Sequence, residues 1–182
     1  MKKIVKNIIH QQNDDNIAIT SSECSPLSYG DLKVLIHKIS SQLCANEISN
    51  KDRAAIVLPN GPYMDTTFLS IASYMSAAPL NPNYKEEEFE FYLSDLKPKI
   101  LIVEFNSKNP AVEVAKKLKI PICEIQTREN TPSGMFDLFE KTRDFNLPNE
   151  EDESLVLHTS GTTSKPKIVP LSNKNIYSSS EN

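Results

Sequence analysis

Apolar residues along this chain follow two rhythms. The first is helical. Leu32, Leu35, Ile36, Ile39 and Leu43 recur at intervals that place them on one helix face. Ser28 stands where its hydroxyl can cap that helix, with Asp31 three residues on as a capping-box variant. The second rhythm is the unbroken run. "AAIVLP" (54–59), "KILIVE" (99–104), "IPICEI" (120–125) and "SLVLHT" (154–159) read as short strands buried on both faces. Between them the pattern predicts helices over 62–77, with Pro62 in the first turn, and over 84–96, with three glutamates early. Further helices are predicted over 111–119 and, briefly, over 135–142. Residues 16–20 and 26–29 make a hairpin candidate. A last helix is expected after Ser172, in "NKNIYSSSEN". It has barely one apolar stripe and would be marginal alone, which reads as an element whose partners are missing or a chain cut within it.

Strands that alternate with helices and are themselves unbroken apolar runs define an α/β fold, a mostly parallel sheet flanked by helices. The length of 182 residues suits one such domain, and a hydrophobic fraction of 38% suffices for its core. The net charge of −4 gives no basic footprint for nucleic acid, and Lys and Arg are scattered, with no polybasic cluster for a membrane surface. The N-terminal "MKKIVKNIIHQQ" is broken by Lys6 and Asn7 and is too short for a signal sequence. Residues 67–80, the most apolar later stretch, are too few and too serine-rich for an integral membrane segment. Cys24, Cys44 and Cys123 fit neither a disulfide framework nor a metal-ligand spacing, so free thiols in a reducing cytoplasm are expected.

One stretch carries chemistry. "VLHTSGTTSKPK" (156–167) leaves an apolar strand and offers five hydroxyls, at Thr159, Ser160, Thr162, Thr163 and Ser164. Gly161 permits close backbone approach or positive φ. Successive backbone N–H groups in such a turn make an anion nest, and Lys165 and Lys167 flank the stiff Pro166. Hydroxyls, amides and ammonium groups together suit a polyphosphate, and strand-then-loop is where α/β sheets place ligands. The Walker pattern GxxxxGK[ST] is absent, so this is not a standard P-loop. A solvated Ser/Thr loop is the plain alternative. As a polar segment, 156–167 is expected to be exposed and mobile without ligand. The glutamates of "YKEEEFEFY" and "NEEDES" read as solvated faces. His37 reads as structural, and His158 either as structural or as lining a pocket.

"LHTSGTTSKPKIVPLSNKNI" resembles the phosphate-binding signature of the adenylate-forming ligases: acyl-CoA synthetases, luciferases and non-ribosomal peptide adenylation domains. Thr159, Ser160, Gly161, Thr162, Thr163, Pro166 and Lys167 match it position by position. "LSYGDL" (27–32) and "APLNPNYKEEEFEFYLSDLKPKILI" (78–102) are similar to earlier segments of the same family. Two residues depart from it. Ser164 stands where most members have glycine, and Ile168 where most have a second one. Ser164, with His158 before it and "VPLS" after it, resembles the oxalate–CoA ligase branch. Ile168, being β-branched, would cost stability or shift the loop if the family glycine serves close packing or positive φ.

The resemblance implies that residues 1–182 are the N-terminal α/β portion of the family's large AMP-binding domain. It implies that Thr159, Ser160, Gly161, Thr162, Thr163, Ser164, Lys165 and Lys167 hold the phosphates of ATP. ATP with Mg2+ and a carboxylate would be the substrates, and coenzyme A the thiol acceptor. The family's adenine segment, its Gly-Tyr-Gly-x-Thr-Glu motif, its ribose aspartate, its catalytic lysine and its lid domain have no counterpart in this sequence. The expectation is therefore an N-terminal fragment of an acyl-CoA synthetase, inactive by itself. The other reading is a complete non-catalytic chain that binds a phosphorylated ligand or a protein partner.

Overall fold

The structure, a computed structural model, describes residues 2–22, 24–127, 130–159 and 166–181. The chain opens with α1 (Val5–His10), then β1 (Ile17–Ile19) and β2 (Leu27–Ser28), which pair as an antiparallel hairpin. α2 (Tyr29–Ala45) begins at Ser28, whose Oγ accepts from the Asp31 N–H at 3.1 Å. Its five periodic residues are all fully buried. β3 (Arg53–Val57), α3 (Pro62–Ala72), β4 (Ser76–Pro79), α4 (Glu86–Leu96), β5 (Ile100–Val103), α5 (Pro110–Lys117) and β6 (Ile122–Glu124) then alternate. A small pair, β7 (Gln126–Thr127) and β8 (Phe136–Asp137), precedes β9 (Glu153–Thr159), β10 (Lys167–Ser172) and α6 (Asn173–Ser180).

The main sheet runs in the order β10-β9-β4-β3-β5-β6. β9, β4, β3, β5 and β6 are parallel, and β10 returns antiparallel along β9. Each central strand feeds both of its faces, because successive side chains alternate. Ala54, Ile56, Ile100 and Ile102 join a cluster with Leu35, Ile39 and Leu43 of α2 and Ile71 of α3. Ala55, Val57, Leu101 and Val103 join the opposite cluster, with Phe89 and Leu93 of α4 and Val114 of α5. Unbroken apolar runs are what two covered faces require. The crossover after β3 packs on the first face and the one after β5 on the second. These neighbouring strands thus send their connections to opposite sides, which opens a crevice at their carboxyl ends.

The structure corrects several expectations. The helix expected over 62–77 ends at Ala72, and Ser76–Pro79 form a strand between β3 and β9. Ser-Ala-Ala-Pro carries no β-branched residue to announce a strand, but small side chains fit this crowded central position. The helix expected over 135–142 does not form. Phe136 and Leu138, each 3% exposed, alternate into the first cluster with a period of two. Buried Gln42 holds this stretch: its Nε2 donates to Asp137 Oδ1 at 3.0 Å, and its Oε1 accepts from the Leu138 N–H at 3.1 Å. Gly134 makes the turn before it at φ +78°, where a Cβ would lie 2.6 Å from the Pro62 carbonyl oxygen. α1 and β10 had not been anticipated. α6 forms where expected, capped by Ser172 Oγ, which accepts from the Asn175 N–H. It gains its partner from α1: Asn173 Oδ1 accepts from the Val5 N–H at 3.0 Å, and Tyr177 Oη accepts from Gln11 Nε2 at 2.7 Å.

Candidate functional site

β9 and β10 form a ribbon whose register is Leu155 to Leu171, Val156 to Pro170, His158 to Ile168 and Thr159 to Lys167. Among the described residues β9 meets β4 in one ladder pair, Ala77 with Leu155. The ribbon therefore runs on past its neighbour, and Thr159 and Lys167 stand opposite each other at its far end. Both are exposed. Thr159 Oγ1 donates to the Lys167 carbonyl at 3.4 Å. Of the predicted phosphate ligands, Thr159 and Lys167 are thus brought together. Ser160, Gly161, Thr162, Thr163, Ser164 and Lys165 lie outside the described residues.

The exposure expected from Val156 onwards begins later. Val156 is 1% exposed and packs in the second core cluster, whereas Leu157, on the other face, is 42% exposed. Ile168 occupies an extended position in β10 and packs against the same cluster as Val156. A β-branched residue is at home there, so the cost expected for it is met by strand geometry. Pro170, exposed on this outer strand, lacks an N–H and suits an edge.

His158 turns onto α4, with its side chain 8% exposed. Its Nε2 lies 3.2 Å from Asp95 Oδ2, and its ring meets Tyr92 edge-on at 4.6 Å. Tyr92 in turn stacks on Tyr84 at 4.9 Å. Burial, with the hydrogen bond to Tyr92, pushes the Tyr84 phenol up to about 12. His37 is exposed and rests its ring on Phe145 at 5.2 Å.

The acidic runs have structural partners. Glu88 Oε2 accepts from the Lys85 N–H and caps α4. Asp152 pairs with Lys51 and accepts from the Asn149 N–H. Glu153 takes a bidentate bond from Arg53, Nε at 2.7 Å and Nη2 at 2.8 Å, which ties β9 to β3. Burial is the largest influence and pushes the Glu153 carboxyl up, but hydrogen bonds from Arg53 and Ser76 and the Arg53 charge together outweigh it and leave the group below the usual glutamate range. Among the described residues no three His, Cys, Asp or Glu side chains are placed to hold a metal ion.

Two of the open clefts among the described residues lie at opposite ends of the central strands. The larger, about 780 Å³, lies at the amino ends of the strands and is lined by Lys51, Arg53, Lys99, Asp152 and Glu153 among others. Two ion pairs, Lys51–Asp152 and Arg53–Glu153, lie within it. The smaller, about 410 Å³, lies at the carboxyl ends of β3 and β5, between Val57, Pro59, Pro82 and the segment 104–109. It coincides with the point where the crossovers diverge, the usual ligand position of such sheets. Phe105 stands at this crevice, 65% exposed.

The chain belongs to the AMP-binding enzyme family, whose pattern matches residues 7–182. It is 35% identical over 175 residues to an oxalate–CoA ligase of Arabidopsis thaliana, covering 92% of this chain and 34% of that protein. It is 33% identical over 191 residues to a probable CoA ligase, CCL9, of Humulus lupulus, covering 98% and 35%. The chain thus spans about a third of the length of these curated relatives. Among solved structures, apo MatB from Rhodopseudomonas palustris superposes with a TM-score of 0.80 at 22% identity, over 100% of this chain and 37% of that one. MenE of Bacillus subtilis, an o-succinylbenzoate CoA synthetase bound to its acyl-adenylate, gives 0.74 at 19% identity, over 97% and 44%. These two likenesses establish the fold, that of the adenylate-forming ligases. No described helix is long and apolar enough to cross a membrane.

Proposed function

We propose that residues 1–182 are the N-terminal portion of an ATP-dependent acid–thiol ligase, and that the segment joining Thr159 to Lys167 grips the β- and γ-phosphates of ATP. In the first step a carboxylate oxygen attacks the α-phosphorus. The bridging bond to the β-phosphate breaks, giving acyl-AMP and pyrophosphate. In the second step a thiol sulfur, that of coenzyme A, attacks the acyl carbon and AMP leaves. The observation that carries this reading is the ribbon end. Two strands deliver Thr159 and Lys167 to facing positions, bracketing "SGTTSK". Magnesium would arrive with the phosphates and neutralise their charge. The chain's own contribution is orientation and charge at the leaving group. The adenine, the ribose and the transition-state lysine would fall to the rest of the ligase. The name of the Arabidopsis relative puts oxalate first among the carboxylates to test. The free thiols of Cys24, Cys44 and Cys123 suit the reducing cytoplasm as the place of action.

The test is carboxylate-dependent exchange of labelled pyrophosphate into ATP. The 182-residue chain should give none, and the protein continued through the remaining ligase motifs should give exchange. Lys167→Ala should reduce that exchange about 10²–10³-fold, the usual cost of one electrostatic donor. Exchange by the extended protein that ignores Lys167→Ala would refute the phosphate role. No exchange by the extended protein with any carboxylate would favour a phosphorylated-ligand binder without chemistry.

A further inference from the structure

We infer that His158 is a positioning residue, which sets the place of Thr159 and Lys167 through its contacts with Asp95 and Tyr92. The inference rests on the reading that these two residues flank a phosphate grip.

The need for such a residue follows from the ribbon's geometry. Past Leu155, β9 has β10 as its strand partner, and a lone two-stranded ribbon is marginal in water. Its outer face is open, with Leu157 exposed. Its inner face is held by α4 and the second core cluster. Val156 is buried there, with Ile168 packed alongside. His158 is the next inward-facing position and the last before Thr159. It is also the point where the brace changes character. Val156 and Ile168 are held by packing, which tolerates sliding. His158 is held by a directed contact, Nε2 to Asp95 Oδ2 at 3.2 Å, and by an edge-on ring on Tyr92 at 69°. Directed contacts fix an angle as well as a separation.

The brace is itself anchored. Tyr92 stacks on Tyr84, with planes 16° apart, and Tyr84 meets the fully buried Phe89 edge-on at 5.8 Å. Asp95 stands one residue before Leu96, which closes α4 in the core. The imidazole thus transmits the position of a rigid helix to the free end of the ribbon. A misplacement there moves both flanking residues together, because Thr159 and Lys167 are a register pair.

The experiment is a titration of the chain with magnesium pyrophosphate, read from backbone amide shifts of Thr159, Lys167 and the residues between. Asp95→Ala and His158→Phe, the latter keeping a ring for Tyr92, should each raise the pyrophosphate Kd about fivefold or more. The double variant should lose little beyond either single, because both remove one contact. Asp95→Asn still offers an oxygen to Nε2–H and should recover most of the loss. That rescue separates positioning from general destabilisation, and unshifted amides at Ala77 and Ile102 confirm that the sheet is intact. If His158→Phe does not fold, Asp95→Ala against Asp95→Asn carries the test. A Kd that Asp95→Ala leaves within about twofold, while Lys167→Ala weakens it, overturns the role of His158 alone. A Kd that neither change affects overturns the phosphate reading, and this inference with it.

Discussion

Replacing Arg53 with methionine should loosen the strand that carries the candidate site. Arg53 reaches from β3 past β4 to Glu153, the first residue of β9, with Nε and Nη2 on separate carboxylate oxygens at 2.7 and 2.8 Å. The side chains are 30% and 25% exposed. Hydrogen bonds to charged groups contribute about 1.5–3 kcal/mol when shielded. Water reaches this pair in part, and a freed Glu153 regains some of it, so about 2 kcal/mol is a reasonable loss. In a chain of this size that corresponds to a Tm lower by about 4–8 °C at pH 7. The loss should depend on pH. Glu153 lies below the ordinary glutamate value of 4.5, because the Arg53 bonds and charge, with a hydrogen bond from Ser76, together outweigh burial. A group depressed in the fold contributes stability that is complete above its unfolded pKa and is lost as pH falls through its folded pKa. The gap between wild type and Arg53→Met should therefore be full at pH 7 and shrink below about pH 4. Adding Glu153→Gln should return part of the loss, since a neutral amide is cheaper to leave unpaired. Thermal melts followed by circular dichroism across pH decide it. A Tm at pH 7 within about 1 °C of wild type, or a gap that widens in acid, would refute the reasoning.

Two further outcomes follow from packing. Gly134→Ala should destabilise by about 2 kcal/mol or more, since the new Cβ meets Pro62 and Thr66 at a backbone angle that L side chains avoid; a melt unchanged from wild type would contradict this. Burial pushes the Cys123 thiol up to about 12, whereas Cys24 is exposed. Brief iodoacetamide treatment at pH 7.5 should thus label Cys24 and leave Cys123 until the chain unfolds, as peptide mass spectrometry would show.

The central strands were legible because burial on both faces demands unbroken apolar runs, and 54–59 and 99–104 supply them. α2 was legible down to its cap, since Ser28 and its periodic leucines and isoleucines obey local rules. β4 was not, because its strand character comes from neighbours: Ser76, Ala77 and Ala78 are chosen for space between β3 and β9. The stretch after Gly134 misled for a related reason. Its residues look helical alone, and buried Gln42, some 95 residues earlier, pins them extended. At the site, the hydroxyl-rich motif is the basis of the phosphate role proposed for it. That β10 returns along β9, so that Thr159 meets Lys167, did not show locally. Pro170 reads as a strand breaker until the strand is known to be an outer one. His158 had two open readings, and its bond to Asp95, 63 residues away, is a tertiary fact.

In the proposed function the end of the β9–β10 ribbon, at the carboxyl end of β9, meets the phosphates of ATP. Paramagnetic broadening by Mn2+–ATP tests it most directly, because the ion travels with the phosphates and marks the amides nearest to it. Spectra of the chain with Mn2+–ATP, set against Mn2+ alone, should show broadening that needs the nucleotide at Thr159, at Lys167 and between them. Lys51, Arg53 and Glu153, in the larger cleft at the amino ends, should stay sharp relative to the Mn2+ control. Nucleotide-dependent broadening centred on that cleft, with Thr159 and Lys167 unaffected, would contradict the account.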